Sequence, residues 1–385
     1  MFEFTEEQIM IRDTIRKLVE KEYDSNWARK IDEEDRNPVE VLKKFAELDV
    51  LGLTIDEKYG GMGRDIVTAT LVLEELSRRS IVLGWVYVGA AFFGGENISK
   101  LGTEEQKQKY LPAICRGELS FAYGLTEPDA GSDTAAVKTF ARREGDKYII
   151  NGSKTFISGA TTSNYMITLC RTNKDVPKHR GLSFFMIPLD APGISARPIP
   201  KLGVHGSDTC EVFLDDVVVG VEDLLGGEEN LNNGWKQLLG LLDVEHIHLA
   251  AEGVGQAQGA FDETMKYITQ RKQFGVPISN FQVIQHQMAD NYTAITNARL
   301  LTYYAADLAN KGKDCWKESA MAKLYATEVA KKVALDGVQF HGGYGYAMEY
   351  DIQRYLRDSL VTTIGGGTSQ AQRNIIWGAL AKELS

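Results

Sequence analysis

At 385 residues the chain is longer than one ordinary core, so two or three domains are expected. Its 43% hydrophobic content is that of a globular protein, and a net charge of -10 argues against a general nucleic-acid binder, which needs concentrated Lys and Arg. The four cysteines, Cys115, Cys170, Cys210 and Cys315, are scattered with no CxxC pair, so neither a zinc site nor a disulfide framework is suggested and a reducing, cytoplasmic setting fits best.

The opening "MFEFTEEQ" runs directly into an amphipathic helix without signal or transit character. Thr5 and Gln8 have capping-box spacing, and Ile11, Ile15, Leu18 and Val19 form the apolar stripe behind it. "VTATLVLEELSRRS" reads as a more buried helix, and Thr103 to Gln106 repeat the capping box before "KQKYL". No apolar run is read as long enough to span a bilayer, so no membrane insertion is expected. From about residue 119 the pattern changes. "KYIINGSKTFISG", "NYMITLCRT", "GLSFFMIPL" and "CEVFLDDVVV" are short β-branched and aromatic runs punctuated by Gly, Asn, Asp and Pro, an antiparallel pattern at barrel-like spacing. From about residue 230 long helices return: one or two in "WKQLLGLLDVEHIHLAAEGVGQAQGAFDETMKYITQRKQFG", then two more rich in small residues that permit close packing. The order is α, β, α.

Taken singly, the polar segments are unremarkable. "YGLTEPDAGSD" reads as a surface turn, "RKQFG" as a helix end carrying a cation, and "QFHGGYGY" as a Gly-rich break without the preceding strand of a dinucleotide fingerprint. Together, "LTEPDAGSD", "INGSKTFISG", "RKQFG" followed by "FQVIQ", "HGGYGY" and "RDSLVTTIGGGTSQAQR" resemble the acyl-CoA dehydrogenase family in order and near-family spacing over essentially the whole chain. The resemblance implies an α+β fold of three domains: N-terminal helical (1–118), middle β-barrel (119–228) and C-terminal four-helix bundle (229–385). It further implies FAD, an acyl-CoA substrate, a homotetramer and an electron-transfer flavoprotein or similar carrier. Carried over by motif, Tyr123, Leu125 and Thr126 would meet the flavin, with Phe156 against the ring and Ser158 near N5. Arg271 and Phe274 would reach the FAD of a neighbouring subunit, Gln339 and Gly343 would line the same pyrophosphate region, and Thr368 and Gln370 would touch the dinucleotide. A diphosphate wants an Arg and close backbone approach through glycines. Ser132 and Asp243 match CoA-contacting positions, and His246 stands where the family often has a CoA-holding Arg.

The family reaction removes an α-proton and a β-hydride, and so needs a base beside the α-carbon. In most members that base is a Glu two residues before the loop threonine, where this chain has Gly366. Members of the isovaleryl-CoA and long-chain type carry it on a helix instead, in a segment like "LLDVEH" here, which makes Glu245 the candidate base. Gly366 keeps the backbone N–H that grips the thioester carbonyl, and losing a Glu side chain there suggests room for a branched, cyclic or substituted acyl group. Glu245, His248 and Glu252 share one helix face, read as a solvated or ligand-facing stripe and not as a metal site. Three readings stand at this point: a dehydrogenase, the same scaffold run as an enoyl-CoA reductase of the crotonobetainyl-CoA type, and a non-catalytic flavin-binding or assembly subunit.

Overall fold

The computed structural model describes residues 3–63 and 65–384. The N-terminal helices are α1 (Glu6–Glu22), α2 (Ser25–Glu34), α3 (Val41–Glu47), α4 (Ile66–Arg79), α5 (Ile81–Val88), α6 (Asn97–Leu101) and α7 (Glu104–Cys115). Both capping boxes form: Thr5 with Gln8 starts α1 and Thr103 with Gln106 starts α7. A π-helical stretch, Gly89–Glu96, joins α5 to α6 without a break. The combined run Ile81–Leu101, with mean hydropathy 1.3, is long and apolar enough by length and composition to cross a membrane, contrary to the expectation from sequence. Its apolar window is 83% buried inside the protein, which is the position of a core helix.

The middle region is a curled seven-stranded sheet of β1 (Phe121–Gly124), β2 (Phe140–Glu144), β3 (Lys147–Ser158), β4 (Tyr165–Arg171), β5 (Leu182–Pro188), β6 (Ile194–Pro198) and β7 (Thr209–Gly220). The path runs β1-β4-β2-β3-β7-β6, with β5 on the other edge of β4. It differs from a purely antiparallel barrel in two places: β1 and β2 each pair with β4 in parallel. The chain crosses over through the β2–β3 hairpin before β4 returns beside β1, and such a crossover is what a parallel pair requires.

Helices α8 (Gly234–Leu239) and α9 (Leu242–Gln270) are separated at Gly240 and Leu241. A short hairpin of β8 (Lys272–Gln273) and β9 (Val276–Pro277) leads to α10 (Gln282–Asn310), α11 (Trp316–His341), α12 (Ile352–Thr362) and α13 (Ser369–Glu383). Helix α9 is the axis of the molecule. A Cβ on Gly253 would lie 2.9 Å from the Ala326 carbonyl carbon on α11, and one on Gly255 would lie 2.3 Å from Glu74 O on α4. Glycine thus lets α9 seat between the C-terminal bundle and the N-terminal helices, and it fixes which face of α9 looks into the space between them.

Candidate active site

At 100° per residue, Glu245, His248, Leu249, Glu252 and Gln256 fall on one face of α9. Three of them are deeply buried, His248 at 4% exposure and Glu252 and Gln256 at 2% each. Trp85 on α5 donates from Nε1 to Glu252 Oε2 at 3.3 Å. A run of rings continues from there: His248 meets Phe92 edge-on at 4.9 Å, Phe92 lies 5.5 Å from Phe93, and Phe93 stacks on Tyr123 at 4.9 Å. Tyr123 also stacks on Phe184 of β5 at 5.9 Å. Tyr123, one of the expected flavin contacts, has its ring in this aromatic wall, where burial, helped by the Glu245 charge, pushes its phenol upward.

Glu245 and Gly366 come together although 121 residues separate them in the chain. The position a Cβ on Gly366 would take is 3.6 Å from Glu245 Oε1 and 2.0 Å from Leu249 Cδ1. Gly366 has φ +58 and Gly367 φ +85, conformations an L side chain rarely adopts, so the glycines are required by backbone shape. At its first carbon, the position of the missing side chain is reached by the Leu249 methyl. Burial raises the Glu245 carboxyl to about 7, with the Lys323 ammonium opposing. Its Oε2 has no hydrogen-bond partner among the described residues.

Lys323 on α11, fully buried, donates to Gly367 O at 2.6 Å. On the other side of the loop, Gln372 Nε2 contacts Gly366 O at 3.2 Å and His246 Nε2 at 3.1 Å. His246 was expected to help hold CoA; it is 2% exposed and packs into the loop's underside, where burial pushes its ring down to about 3 and keeps it neutral. His246 and His248 point to different neighbours, and among the described residues no group of three or more His, Cys, Asp or Glu is arranged to hold a metal. Asp243 is half-buried near Asp314 and Lys100, its carboxyl pushed up to about 6 by burial first and Asp314 second. Ser132 is exposed beside the Asp133–Lys178 ion pair.

A second cluster lies on the sheet. Fully buried Lys154 donates to Glu127 Oε1 at 2.9 Å, Leu125 O at 3.1 Å and Leu169 O at 2.7 Å. Glu127 also accepts from the Lys138 and Thr139 backbone N–H groups. Burial works against its ionisation, but Lys154 and these donors hold its carboxyl below the usual range. This buried pair fixes the "LTEPDAGSD" loop, and Thr126 O accepts from Thr155 N at 2.9 Å. The next residue, Phe156, lies at φ 58 in a β3 irregularity with its ring 65% exposed. A bulky side chain in that conformation is an outlier, and strained backbone concentrates at ligand sites. A flat, exposed aromatic face with Ser158 two residues on is compatible with stacking on the isoalloxazine ring of FAD.

Arg271, Phe274, Gln339 and Gly343 stand apart from Glu245. Arg271 follows Glu245 by 26 positions, about 39 Å along α9. It is exposed, its guanidinium over the Tyr344 ring at 5.4 Å. Phe274 sits 93% exposed at φ 52 in the β8–β9 turn, and Gln339 and Gly343 are exposed nearby in sequence. Thr368 caps α13 by accepting from Ala371 N, and Gln370 is exposed on its first turn. Sequence reasoning missed Lys154, Lys323, Trp85, Leu249 and Gln256. The alternating four- and three-residue spacing of Glu245, Leu249, Glu252 and Gln256 was the signal available for the α9 set.

The chain matches the profiles described as acyl-CoA dehydrogenase N-terminal domain over residues 5–118, middle domain over 122–217 and C-terminal domain over 232–381. It belongs to the acyl-CoA dehydrogenase family. Members of this family are flavin-dependent oxidoreductases acting on CH–CH bonds. The chain is 40% identical over 381 residues to the 3-(aryl)acrylate reductase of Clostridium sporogenes, covering 98% of this chain and 100% of the relative. It is 38% identical to the caffeyl-CoA reductase-Etf complex subunit CarC of Acetobacterium woodii, covering 99% and 100%. The solved structure of butyryl-CoA dehydrogenase from Megasphaera elsdenii superposes with TM-score 0.94 at 32% identity, covering 99% of this chain and 100% of that one. Family members thus share the three-domain architecture described above.

Proposed function

We propose that this protein is an FAD-dependent acyl-CoA dehydrogenase in which Glu245 is the α-carbon base. The observation that carries the reading is the meeting of a buried carboxylate on α9 with the glycine at the usual base position, 3.6 Å from where that residue's Cβ would be. A carboxyl poised at about 7 is half-ionised at neutral pH, suited both to taking an α-proton and to returning it. In this reading the Gly366 N–H donates to the thioester carbonyl and stabilises the negative charge that develops on its oxygen. The aromatic wall of Phe92, Phe93 and Tyr123 excludes water from the acyl group, and Lys323 holds the loop that carries Gly366. FAD, when bound, supplies the acceptor for the β-hydride. Thr126, Phe156 and Ser158 would hold its ring, and Arg271, Gln339 and Gly343 the diphosphate of a neighbouring copy's flavin. The exposed apolar residues Phe274, Leu335, Tyr346 and Met348 near those positions in sequence support a homotetramer.

A second reading is the reverse direction, reduction of an enoyl-CoA, in which Glu245 delivers the proton. It is supported by the whole-length relatives named as reductases, and the Etf-complex relative likewise supports an electron-transfer flavoprotein as carrier. The test is anaerobic mixing of the purified protein with a panel of acyl-CoAs. The flavin should bleach with a substrate, and Glu245→Gln should slow bleaching by about two to four orders of magnitude with unchanged FAD content. Re-oxidation of the photoreduced protein by enoyl-CoAs reads the other direction. A protein that binds FAD but responds to neither set is a non-catalytic subunit.

A further inference from the structure

Beyond Glu245 the same face of α9 goes on, and what it carries is unusual for a hydrocarbon pocket. Glu252 lies seven residues further, about 10 Å along the axis, and Gln256 one turn beyond that. Neither is solvated: both are 2% exposed, and His248 between Glu245 and Glu252 is 4% exposed. Gln256 Oε1 and both ring nitrogens of His248 are buried with no hydrogen-bond partner among the described residues, and so is the Tyr123 hydroxyl. Buried polar atoms are normally paired, and each one left alone costs stability. These four atoms lie along one stretch of the interior, the inner face of α9 from His248 to Gln256 and the Tyr123 end of the aromatic run beside it.

Their chemistry narrows the group they fit. Burial pushes the Glu252 carboxyl up to about 8 and the His248 ring down to about 4, so at neutral pH both are predominantly uncharged. The neighbouring titratable groups are Glu245, which raises Glu252 further, and Lys323, which opposes it. Uncharged donors and acceptors at close quarters suit a hydroxyl, and His248, Glu252 and Gln256 themselves offer no strong counter-charge to an ammonium or carboxylate. The intervening wall is aromatic, with Phe92, Phe93 and Tyr123 in ring contact.

We propose that the acyl group taken by this site is an aryl chain bearing a hydroxyl on its ring, and that His248, Glu252 and Gln256 are the residues that select it. The inference rests on the proposed acyl-CoA reading. The reacting carbons lie beside Glu245, the ring packs against Phe93 and Tyr123, and the hydroxyl reaches the polar stretch toward Glu252. A site built to hydrogen-bond a hydroxyl rejects the analogue lacking it, because its own buried groups are then left unpaired.

The experiment uses the purified FAD-loaded protein and four thioesters: 3-(4-hydroxyphenyl)propanoyl-CoA, 3-phenylpropanoyl-CoA, hexanoyl-CoA and glutaryl-CoA. Binding is measured by calorimetry and flavin bleaching in parallel. The hydroxylated ester should bind more tightly than its unsubstituted twin, by on the order of tenfold, and should bleach faster. In His248→Phe and in Gln256→Leu the gap between the twins should shrink; the wild-type comparison stands whether or not either variant folds. Equal or tighter binding of 3-phenylpropanoyl-CoA or hexanoyl-CoA overturns the selection of a hydroxyl while leaving the acyl-CoA reading in place. Tightest binding of glutaryl-CoA overturns it in favour of an ionic partner. If no thioester binds or bleaches, the acyl-CoA reading falls and this inference falls with it.

Discussion

Glu245 reaches across to Gly366 so that its Oε1 stands 3.6 Å from the point where a Cβ on that glycine would lie. In the proposed reading this carboxylate serves the place from which a loop residue would otherwise act. Because its carboxyl is held near 7, the rate of the oxidative half-reaction should depend on pH in the neutral range. The sign is fixed: the base must be deprotonated, so flavin bleaching should fall as pH drops through about 7 and level off above it. In the reductive direction the dependence inverts. A flat stopped-flow profile across that range would remove Glu245 from proton transfer.

Burial raises that value first, and Lys323 tempers it. The lysine lies buried, donates to Gly367 O, and its charge favours the ionised form of Glu245. Lys323→Met should move the midpoint of the rate profile to higher pH. It should also destabilise the fold by about 1–3 kcal/mol, through loss of the hydrogen bond that its charged donor makes to the loop. A lower melting temperature with an unmoved profile would make the lysine structural only.

Gly366 is constrained twice, by φ +58 and by Leu249 Cδ1 at 2.0 Å from its Cβ position. Gly366→Ala should destabilise by about 1–2 kcal/mol from the left-handed conformation alone, and more from the contact. Leu249→Ala in the same chain should relieve the contact but not the backbone term. Gly366→Glu should rescue a Glu245→Gln enzyme toward straight-chain acyl-CoAs only when Leu249 is shortened as well. Rescue with Leu249 intact would show that the leucine yields freely.

Lys154 and Glu127 should matter for cofactor more than for chemistry. Lys154→Met leaves Glu127 buried and unpaired, a loss of about 3–5 kcal/mol. The readout is FAD per chain by absorbance, which should fall before secondary structure does. Full flavin occupancy in the variant would detach the pair from the loop carrying Thr126.

Local signals carried a large part of this structure in the sequence. Thr5, Thr103 and their glutamines formed the caps their spacing implied. The triple glycine pointed to a special backbone, and Gly366 and Gly367 have it. Glu245 emerged only from weighing its gain against the loss at 366. What stayed hidden depends on contacts between distant segments. Lys154 and Lys323 look like surface lysines by type, and only the folded chain brings Glu127 and Gly367 to them. Leu249 reads as an ordinary core leucine until the loop closes over it. The parallel pairing of β1 with β4 leaves no mark in either strand's own pattern.

Helix α9 carries Glu245 near its first residue and Arg271 just past its last. A straight rod of that length holds its two ends too far apart for both to attend one flavin. If the carboxylate works at one flavin's reacting edge, any diphosphate that Arg271 neutralises belongs to a different copy. The rod then acts as a ruler, and a chain kept from its neighbours would own a complete proton-transfer apparatus while lacking part of the grip on its own cofactor. Dilution would bleed colour from such a protein before it cost the fold.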